Sequence, residues 1–397
     1  MLDNERNEIR LFLEEICCEI ARARHMEQDG LNADAIAIHR EVALGQDRFA
    51  DIVVTAQGRA PYAIEVKVGH GEADLVAKLT RKYGPSPVRP DLACVVVLIR
   101  RDDFPSWNAT AARIPAAMDP LIELVAWDIG GLAAEVERYF AVTTPGLDGR
   151  ALLEARRAID RAKWLQVYGD DDADSPLMST LLWHFGPWTL DILRRDHSLG
   201  PADVLRPGTY HDVCVLMGDL SGFSGYVRDT VDERVVRDAL TSFYSNARFA
   251  IHAAGGMVYQ FIGDSVVGLF GLPIGRPADA DRALACARRL GEIGRNVTLG
   301  WQERIDRVQK TQGAHVGLTI GDLTLVPHRP FSQTHVGFVG DSLNMAARLL
   351  DRAGPGEILV GNTLFRHLSA EHREGFTNEA PIEARNVGSV LAWRRPL

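Results

Sequence analysis

Long hydrophobic runs are missing from this 397-residue sequence. The longest uninterrupted one, residues 92–99, is far shorter than the roughly 20 apolar residues of a membrane-spanning helix. The N-terminal residues mix charges into their apolar positions, unlike the hydrophobic stretch of a secretory signal. We therefore predict that the chain does not cross a membrane and that it works in the cytoplasm.

Cysteine and excess positive charge are also scarce. The five cysteines are an odd number without CxxC spacing, so we interpret them as reduced core thiols rather than as disulfide, zinc or redox sites. The net charge is −9, and residues 1–150 carry most of it, with 17 basic and 24 acidic side chains. Such a chain lacks the basic footprint of a nucleic-acid or anionic-membrane surface. The charge therefore argues against a nucleic-acid partner.

The composition is that of a folded protein, with 46% hydrophobic and 24% charged residues, and the length suits two or three domains. Residues 1–140 begin with a helix-period segment and continue with strand-like runs at 48–54, 60–68 and 92–99, which predicts an α/β domain. Residues 141–207 are typical of a helical connector. Residues 208–397 alternate strands and helices again, which indicates a separate domain.

Two aspartates of this last domain follow strand-like segments. Asp219 comes at the end of an apolar strand, and Asp264 follows Gly263 at the reversal of a predicted hairpin. Carboxylates at strand ends beside glycines suit Mg²⁺ or Mn²⁺ at a triphosphate, because these hard cations prefer oxygen ligands. Either aspartate alone would be interpreted as a turn former.

A third segment, THVGFVGDSLNMAARLL, supplies an amide and a guanidinium. Asn344 and Arg348 are four residues apart and so lie on one face of a predicted helix. An amide beside a guanidinium suits ribose positioning and charge neutralisation at a transferring phosphoryl group.

The segments DLSGFS, GGMVYQFIGDSVVGLFG, GDSLNMAARLL and GEILVGNTLF together resemble the catalytic domain of class III nucleotidyl cyclases, the adenylate and guanylate cyclase superfamily, over residues 208–395. The resemblance implies an α+β, ferredoxin-like βαββαβ core and head-to-tail homodimers with shared active sites. It also implies conversion of a nucleoside triphosphate into a 3′,5′-cyclic nucleotide and pyrophosphate, with two divalent metal ions (Mg²⁺ or Mn²⁺) as cofactors.

The resemblance assigns roles residue by residue. Asp219 and Asp264 would bind the two metal ions, with the carbonyl of Leu220 as a further ligand. Asn344 would orient the ribose and Arg348 would stabilise the transferring phosphoryl group, both from the other subunit. A catalytically silent dimerisation module is the alternative, and the presence of all four groups argues against it.

The positions that select the base depart from the family pattern. Adenylate cyclases have Lys four residues before the second metal-binding Asp, and Asp or Thr seven residues before the Asn; this chain has Gln260 and Gly337. Guanylate cyclases typically have Glu at the first position. An amide can donate and accept, so Gln260 fits uracil, guanine or adenine. Strand alternation places the bulky Tyr259 on the opposite face, unless the hairpin register slips by one residue.

Altered base positions in a bacterial-type cyclase resemble the Pycsar antiphage cyclases, which make cyclic UMP or cyclic CMP. We therefore predict UTP, then CTP, as the substrate, and a cyclic-nucleotide-responsive effector protein as a downstream partner in antiphage defence. An adenylate cyclase that makes cyclic AMP is the alternative.

The first domain carries Asp51, Glu65 and Lys67 in a D-x13-E-x-K arrangement, which resembles the PD-(D/E)xK restriction-endonuclease fold over residues 1–140. Two carboxylates can hold Mg²⁺ while a lysine orients the attacking water. The alternation of apolar residues with Glu65 and Lys67 is also typical of any half-solvated strand. We favour a regulatory or dimerisation domain on a nuclease-like scaffold, and keep a nuclease with a cyclase-like sensor domain as the alternative.

Overall fold

Two compact units make up the chain, Met1–Lys163 and Trp164–Leu397. The computed structural model describes residues 3–45, 47–84, 91–104, 106, 114, 121–143, 149–168, 176–196, 198–328, 334–384 and 388–397. Among these residues, no helix combines the length and the apolar composition that crossing a bilayer requires. The division between the units falls inside the predicted connector, 141–207.

Unit 1 is built around a five-stranded mixed sheet. Its strands are β1 (Ile36–Gly45), β2 (Arg48–Ala56), β3 (Tyr62–Val66), β4 (Cys94–Ile99) and β5 (Glu123–Asp128). They lie in the order β1-β2-β3-β4-β5, with β1 to β3 antiparallel and β3 to β5 parallel. The helices of unit 1 are α1 (Asp3–Gln28), α2 (Glu72–Tyr83), α3 (Ile129–Phe140) and most of α4 (Gly149–Tyr168), with 3₁₀ turns at Ala33–Ala35 and Arg101–Asp103.

This arrangement confirms the α/β character of the first domain and the three predicted strands, and adds β1 and β5. Helix α2 connects the parallel strands β3 and β4, as a crossover must. It buries Leu75, Leu79 and Tyr83, which are spaced by four residues and so share one face. That packing points the last turn of α2 toward β2 and β3.

Unit 2 contains an eight-stranded sheet. Its strands are β6 (Gly208–Leu220), β7 (Met257–Ile262), β8 (Ser265–Phe270), β9 (Ala314–Pro327), β10 (Val336–Val339), β11 (Glu357–Gly361), β12 (Thr377–Asn378) and β15 (Ala392–Pro396), while β13 (Ile382–Ala384) and β14 (Gly388–Val390) form a separate hairpin. The main path of the sheet runs β12-β15-β11-β9-β6-β8-β7, with β10 paired to β9.

The helices of unit 2 are α5 (Pro176–His184), α6 (Pro187–Leu190), α7 (Ile192–Arg195), α8 (Phe223–Asp229), α9 (Glu233–Ala253), α10 (Asp279–Ile305), α11 (Asp341–Arg352), α12 (Asn362–His367) and α13 (Ala370–Arg373), with a 3₁₀ turn at Pro201–Asp203.

The predicted βαββαβ core is confirmed. Strand β6 leads through α8 and α9 to the hairpin β7–β8, and α10 returns the chain to β9. In space these strands lie in the order β9-β6-β8-β7, so the first and third strands of the motif are central neighbours. This topology brings the end of β6 next to the turn of the β7–β8 hairpin.

Each face of this sheet has its own core. Phe243 of α9 and Leu290 of α10 are completely buried on one side. The other side is covered by connector residues, including Trp164 and Phe185, together with Ala346 of α11. Helix α11 lies so close to β9 that a Cβ at Gly317 would collide with the carbonyl oxygen of Ala346. This close packing fixes the backbone of α11 against the sheet.

All five cysteines are free thiols, as predicted. Four of them are buried, and Cys94 is half-buried. Burial raises the pKa of the Cys214 and Cys286 thiols to about 12, so both are protonated at neutral pH.

Candidate active site

The two aspartates predicted to bind metal meet at one end of the unit 2 sheet. Asp219 is the penultimate residue of β6, and Asp264 lies in the two-residue turn Gly263–Asp264 that joins β7 to β8. Gly263 has a φ of 60°, the left-handed conformation such a turn uses. The antiparallel register sets Asp219 directly opposite Ser265, whose hydroxyl donates a 2.7 Å hydrogen bond to Asp219 Oδ1. Strand pairing therefore places the two carboxylates side by side.

Electrostatic repulsion marks this carboxylate pair. Burial and the neighbouring Asp219 raise the pKa of Asp264 to about 7. A divalent cation between the carboxylates would remove that repulsion and favour both ionised forms. Within the described residues there is no group of three or more His, Cys, Asp or Glu side chains able to hold a metal. Two carboxylates alone leave coordination positions open for triphosphate oxygens, which is how Mg²⁺ is commonly held at nucleotides.

A histidine that sequence reasoning missed lies beside Asp219. His315 of β9 stands opposite Asp219 across the strand pair, with its Nε2 3.8 Å from Asp219 Oδ2. Its Nδ1 lies 3.0 Å from the hydroxyl of Ser221. Burial lowers the pKa of His315 despite the nearby Asp219 carboxylate, so the imidazole is neutral at pH 7. Only the pairing of β6 with β9, a contact between distant parts of the chain, reveals this neighbour.

Helix α11 presents Asn344 and Arg348 away from its buried face. Its buried residues are Ser342, Ala346, Leu349 and Leu350. Asn344 is exposed and Arg348 is partly buried. The helix and the shared face agree with the sequence prediction, whereas the action of these groups on a second chain stays a prediction.

A β-bulge changes the predicted geometry around Gln260. The register of β7 against β8 shifts between Val258 and Gln260, so Tyr259 is an extra residue. Tyr259 packs with the core on the α11 side, and Phe261, two residues later, packs with the opposite core. Simple alternation would have put both on one face. The register slip considered in the sequence analysis is therefore present, and Tyr259 and Gln260 lie together opposite Val267.

Tyr259 lies between the two positions that the sequence analysis assigned to base selection. The backbone N–H of Phe338 donates a 3.1 Å hydrogen bond to the Tyr259 hydroxyl, and the two rings meet edge to face with centroids 5.4 Å apart. Phe338 directly follows Gly337, and Tyr259 directly precedes Gln260. The contact therefore joins the sequence neighbours of Gln260 and Gly337.

His328 occupies the space beside Gly337. It lies at the end of the β9–β10 pair, where its backbone N–H donates to the carbonyl of His335 at 2.9 Å. A Cβ placed on Gly337 would lie 2.6 Å from His328 Nε2. An exposed imidazole therefore stands where the family pattern has an Asp or Thr side chain, and the sequence pattern carries no signal for it.

In unit 1 the structure brings together the other predicted group, Asp51, Glu65 and Lys67. Lys67 Nζ lies 2.6 Å from Asp51 Oδ2 and 2.7 Å from Glu65 Oε2. Two residues of α2 that sequence reasoning missed join them: Lys82 contacts both carboxylates, and the Tyr83 hydroxyl donates to Glu65 at 2.6 Å. Burial acts against ionisation of Asp51, but the two lysines hold its pKa well below the usual value.

Among known proteins, the chain is similar to solved structures of nucleotidyl cyclases. No protein-family model matches it, and no curated protein matches it. It is similar to the guanylyl cyclase Cya2 (21% identity, 48% of this chain and 93% of that one, TM-score 0.42). It is also similar to the adenylyl cyclase CyaB from P. aeruginosa (19%, 48% and 95%, TM-score 0.40) and to the guanylate cyclase domain of RhGC from Catenaria anguillulae in complex with GTP (20%, 47% and 96%, TM-score 0.37). About half of this chain thus resembles nearly all of each cyclase structure.

The carboxylate repulsion predicts a pH-dependent gain in stability for Asp264→Asn. The pKa of Asp264 is higher in the folded protein than in the unfolded chain, so its ionisation costs stability as pH rises from about 4 through 7. Without metal, the variant should match wild type near pH 4 and melt higher at pH 8, by about 2–4 °C for each kcal/mol of repulsion removed. Mn²⁺ should raise the melting temperature of wild type at pH 8 more than that of the variant.

The matched control is Asp322→Asn, which changes an exposed carboxylate paired with His211 on the same sheet. Differential scanning calorimetry at pH 4, 6 and 8 makes the comparison. Equal melting temperatures of wild type and Asp264→Asn at pH 8, or equal stabilisation by Mn²⁺, would contradict the assignment of this carboxylate pair as a metal site.

Proposed function

We propose that unit 2 is a metal-dependent nucleotidyl cyclase, which converts a nucleoside triphosphate into a 3′,5′-cyclic nucleotide and pyrophosphate. The observation that carries the proposal is the carboxylate pair Asp219 and Asp264, which strand register holds together where the central strands of the βαββαβ sheet end. Burial and the neighbouring Asp219 raise the pKa of Asp264 to about 7. The four cyclase-like segments of the sequence support it.

Four side chains take part in the proposed reaction. Divalent ions held by Asp219 and Asp264, with the Leu220 carbonyl as a further ligand, would neutralise the triphosphate and make the ribose 3′-hydroxyl more acidic. The 3′-oxygen loses its proton to solvent and forms a bond to the α-phosphorus. The bond from the α-phosphorus to the bridging oxygen breaks, and pyrophosphate leaves. Arg348 stabilises the charge on the transferring phosphoryl group, and Asn344 orients the ribose.

A homodimer completes the site in this proposal. Asn344 stands on the exposed face of α11, where it can meet a second copy of the chain. In a head-to-tail dimer the carboxylates of one subunit face Asn344 and Arg348 of the other, and two equivalent sites form. Because one chain carries both halves, no second protein is needed.

For the base, we infer UTP as the preferred substrate and CTP as the next. Gln260 has neither the charge of the lysine in adenylate cyclases nor that of the glutamate in guanylate cyclases, and its amide can match the O4 and N3–H groups of uracil. At Gly337 the exposed imidazole of His328 has its Nε2 2.6 Å from the place of a Cβ, where the family's polar side chain would begin. An imidazole beside the base would favour the smaller pyrimidine ring. The cyclic product would act in the cytoplasm on an effector in antiphage defence.

The direct test incubates the purified full chain with Mn²⁺ and ATP, GTP, CTP or UTP in turn and identifies products by mass spectrometry. We expect cyclic UMP as the main product, and a loss of about 100-fold or more in kcat for Asp264→Ala, because metal positioning and charge stabilisation are lost together. Asp322→Ala, an exposed carboxylate on the same sheet, should retain activity. Absence of product from all four nucleotides would contradict a cyclase, and cyclic AMP as the main product would support the adenylate cyclase alternative.

His328→Ala should change the base preference while catalysis is retained. Removal of the imidazole beside Gly337 opens space for a purine, so the ratio of kcat/KM for UTP to that for ATP should fall about tenfold, the scale of one lost pocket contact. His211→Ala, an exposed histidine of β6, is the matched control and should leave the ratio unchanged. An unchanged ratio in active His328→Ala would contradict a role for His328 in base selection.

A further inference from the structure

The predicted nuclease-like group in unit 1 has a donor on every carboxylate oxygen. Asp51 Oδ1 accepts from Lys82 at 2.9 Å, and Asp51 Oδ2 accepts from Lys67 at 2.6 Å. Glu65 Oε1 accepts from the Tyr83 hydroxyl at 2.6 Å, and Glu65 Oε2 accepts from Lys82, also at 2.6 Å. The four oxygens that a metal ion would use are therefore engaged by protein groups.

Charge within this group is balanced without a metal. Asp51, Glu65 and Lys67 are 6%, 0% and 5% exposed, and each carries a full charge that burial makes costly unless it is paired. Two ammonium groups face two carboxylates, so the net charge is zero. A divalent cation added to this set would leave two excess positive charges in a buried place. It could enter only if a lysine left.

Lys82 is the lysine that stands between the carboxylates on the helix side. Its Nζ bridges Asp51 and Glu65, which lie on neighbouring strands β2 and β3. The side chain reaches this position from the last turn of α2, whose packing is fixed by Leu75, Leu79 and Tyr83. With a side chain 19% exposed, Lys82 is also the member of the group nearest to solvent, where an ion would enter.

A neighbouring buried acid has its own partners: Glu14 of α1 pairs with Arg40 and with Arg10. Glu41 is less completely compensated, since Arg10 Nη1 is 3.5 Å away and burial together with Glu14 raises the pKa of Glu41 to about 7. The full pairing of charges is therefore a property of the group around Asp51 and Glu65, not of every acid in this region.

We propose that the ammonium group of Lys82 takes the place of a divalent cation between Asp51 and Glu65, so this nuclease-like site is closed to metal and unit 1 is not a metal-dependent nuclease. Its carboxylates stabilise the fold instead. The proposal concerns unit 1 alone and is independent of cyclase activity in unit 2.

The test uses the full chain with Asp219→Ala and Asp264→Ala, so that ions bound in unit 2 do not contribute. Mn²⁺ binding is measured by electron paramagnetic resonance and calorimetry. This double variant is the parent for the further substitutions, and it should have no Mn²⁺ site whose occupancy depends on Glu65. Adding Lys82→Met removes the bridging charge and should create one Mn²⁺ site, with at least tenfold higher affinity than the parent, that is lost when Glu65→Gln is added. Lys78→Met, one turn earlier on α2 and paired with Asp74, should create none.

Three results would overturn the proposal. The first is a stoichiometric Mn²⁺ site in the parent that disappears with Glu65→Gln. The second is Mg²⁺-dependent plasmid nicking by wild type that Glu65→Gln abolishes. The third is a folded Lys82→Met protein that gains no Mn²⁺ site. Lys82→Gln, which keeps a polar side chain, replaces Lys82→Met if the latter does not fold. The Mn²⁺ titration of the parent shows by itself whether the site of unit 1 is closed to metal.

Discussion

The repulsion between Asp219 and Asp264 is the interaction on which the account of unit 2 depends. The pairing of β6 with β8 forces the two carboxylates together, and burial raises the pKa of Asp264 to about 7. A fold that only needed stability would not keep two acids in this arrangement, because one must remain protonated or lose solvation. The divalent cation of the proposed reaction would supply the missing positive charge, and the triphosphate that it binds would be the reason for the geometry.

Unit 1 contains a second carboxylate pair, whose negative charge is neutralised by protein groups. Asp51 and Glu65 also meet on neighbouring strands, but Lys67 and Lys82 neutralise them within the same unit. The pair in unit 2 therefore lacks positive charge that a ligand can supply, whereas the charge of the pair in unit 1 is already balanced by lysines. Paired acids on neighbouring strands look alike in sequence, and only the surrounding donors show which pair is open.

Local sequence signals predicted much of this structure. The turn Gly263–Asp264, the helix that carries Asn344 and Arg348, and the βαββαβ order follow from turn chemistry, periodicity and recognisable segments. His315 and Lys82 were missed because each reaches its site through contacts between distant parts of the chain. His328 was missed because no sequence signal showed the pairing of β9 with β10 that places it beside Gly337. The bulge at Tyr259 was missed as a definite feature because alternation in a strand gives no sign of where an extra residue enters.

The central claim, that two chains share each site, is tested most directly by mixing two inactive variants. Asp219→Ala lacks a metal ligand and Arg348→Ala lacks the phosphoryl-stabilising group, so each homodimer should be inactive. After chain exchange, verified by mass-tagged subunits, half of the dimers are hybrids with one intact site, and about a quarter of wild-type cyclase activity should return. No recovery with exchange demonstrated, and cyclase activity present in wild type, would contradict shared sites.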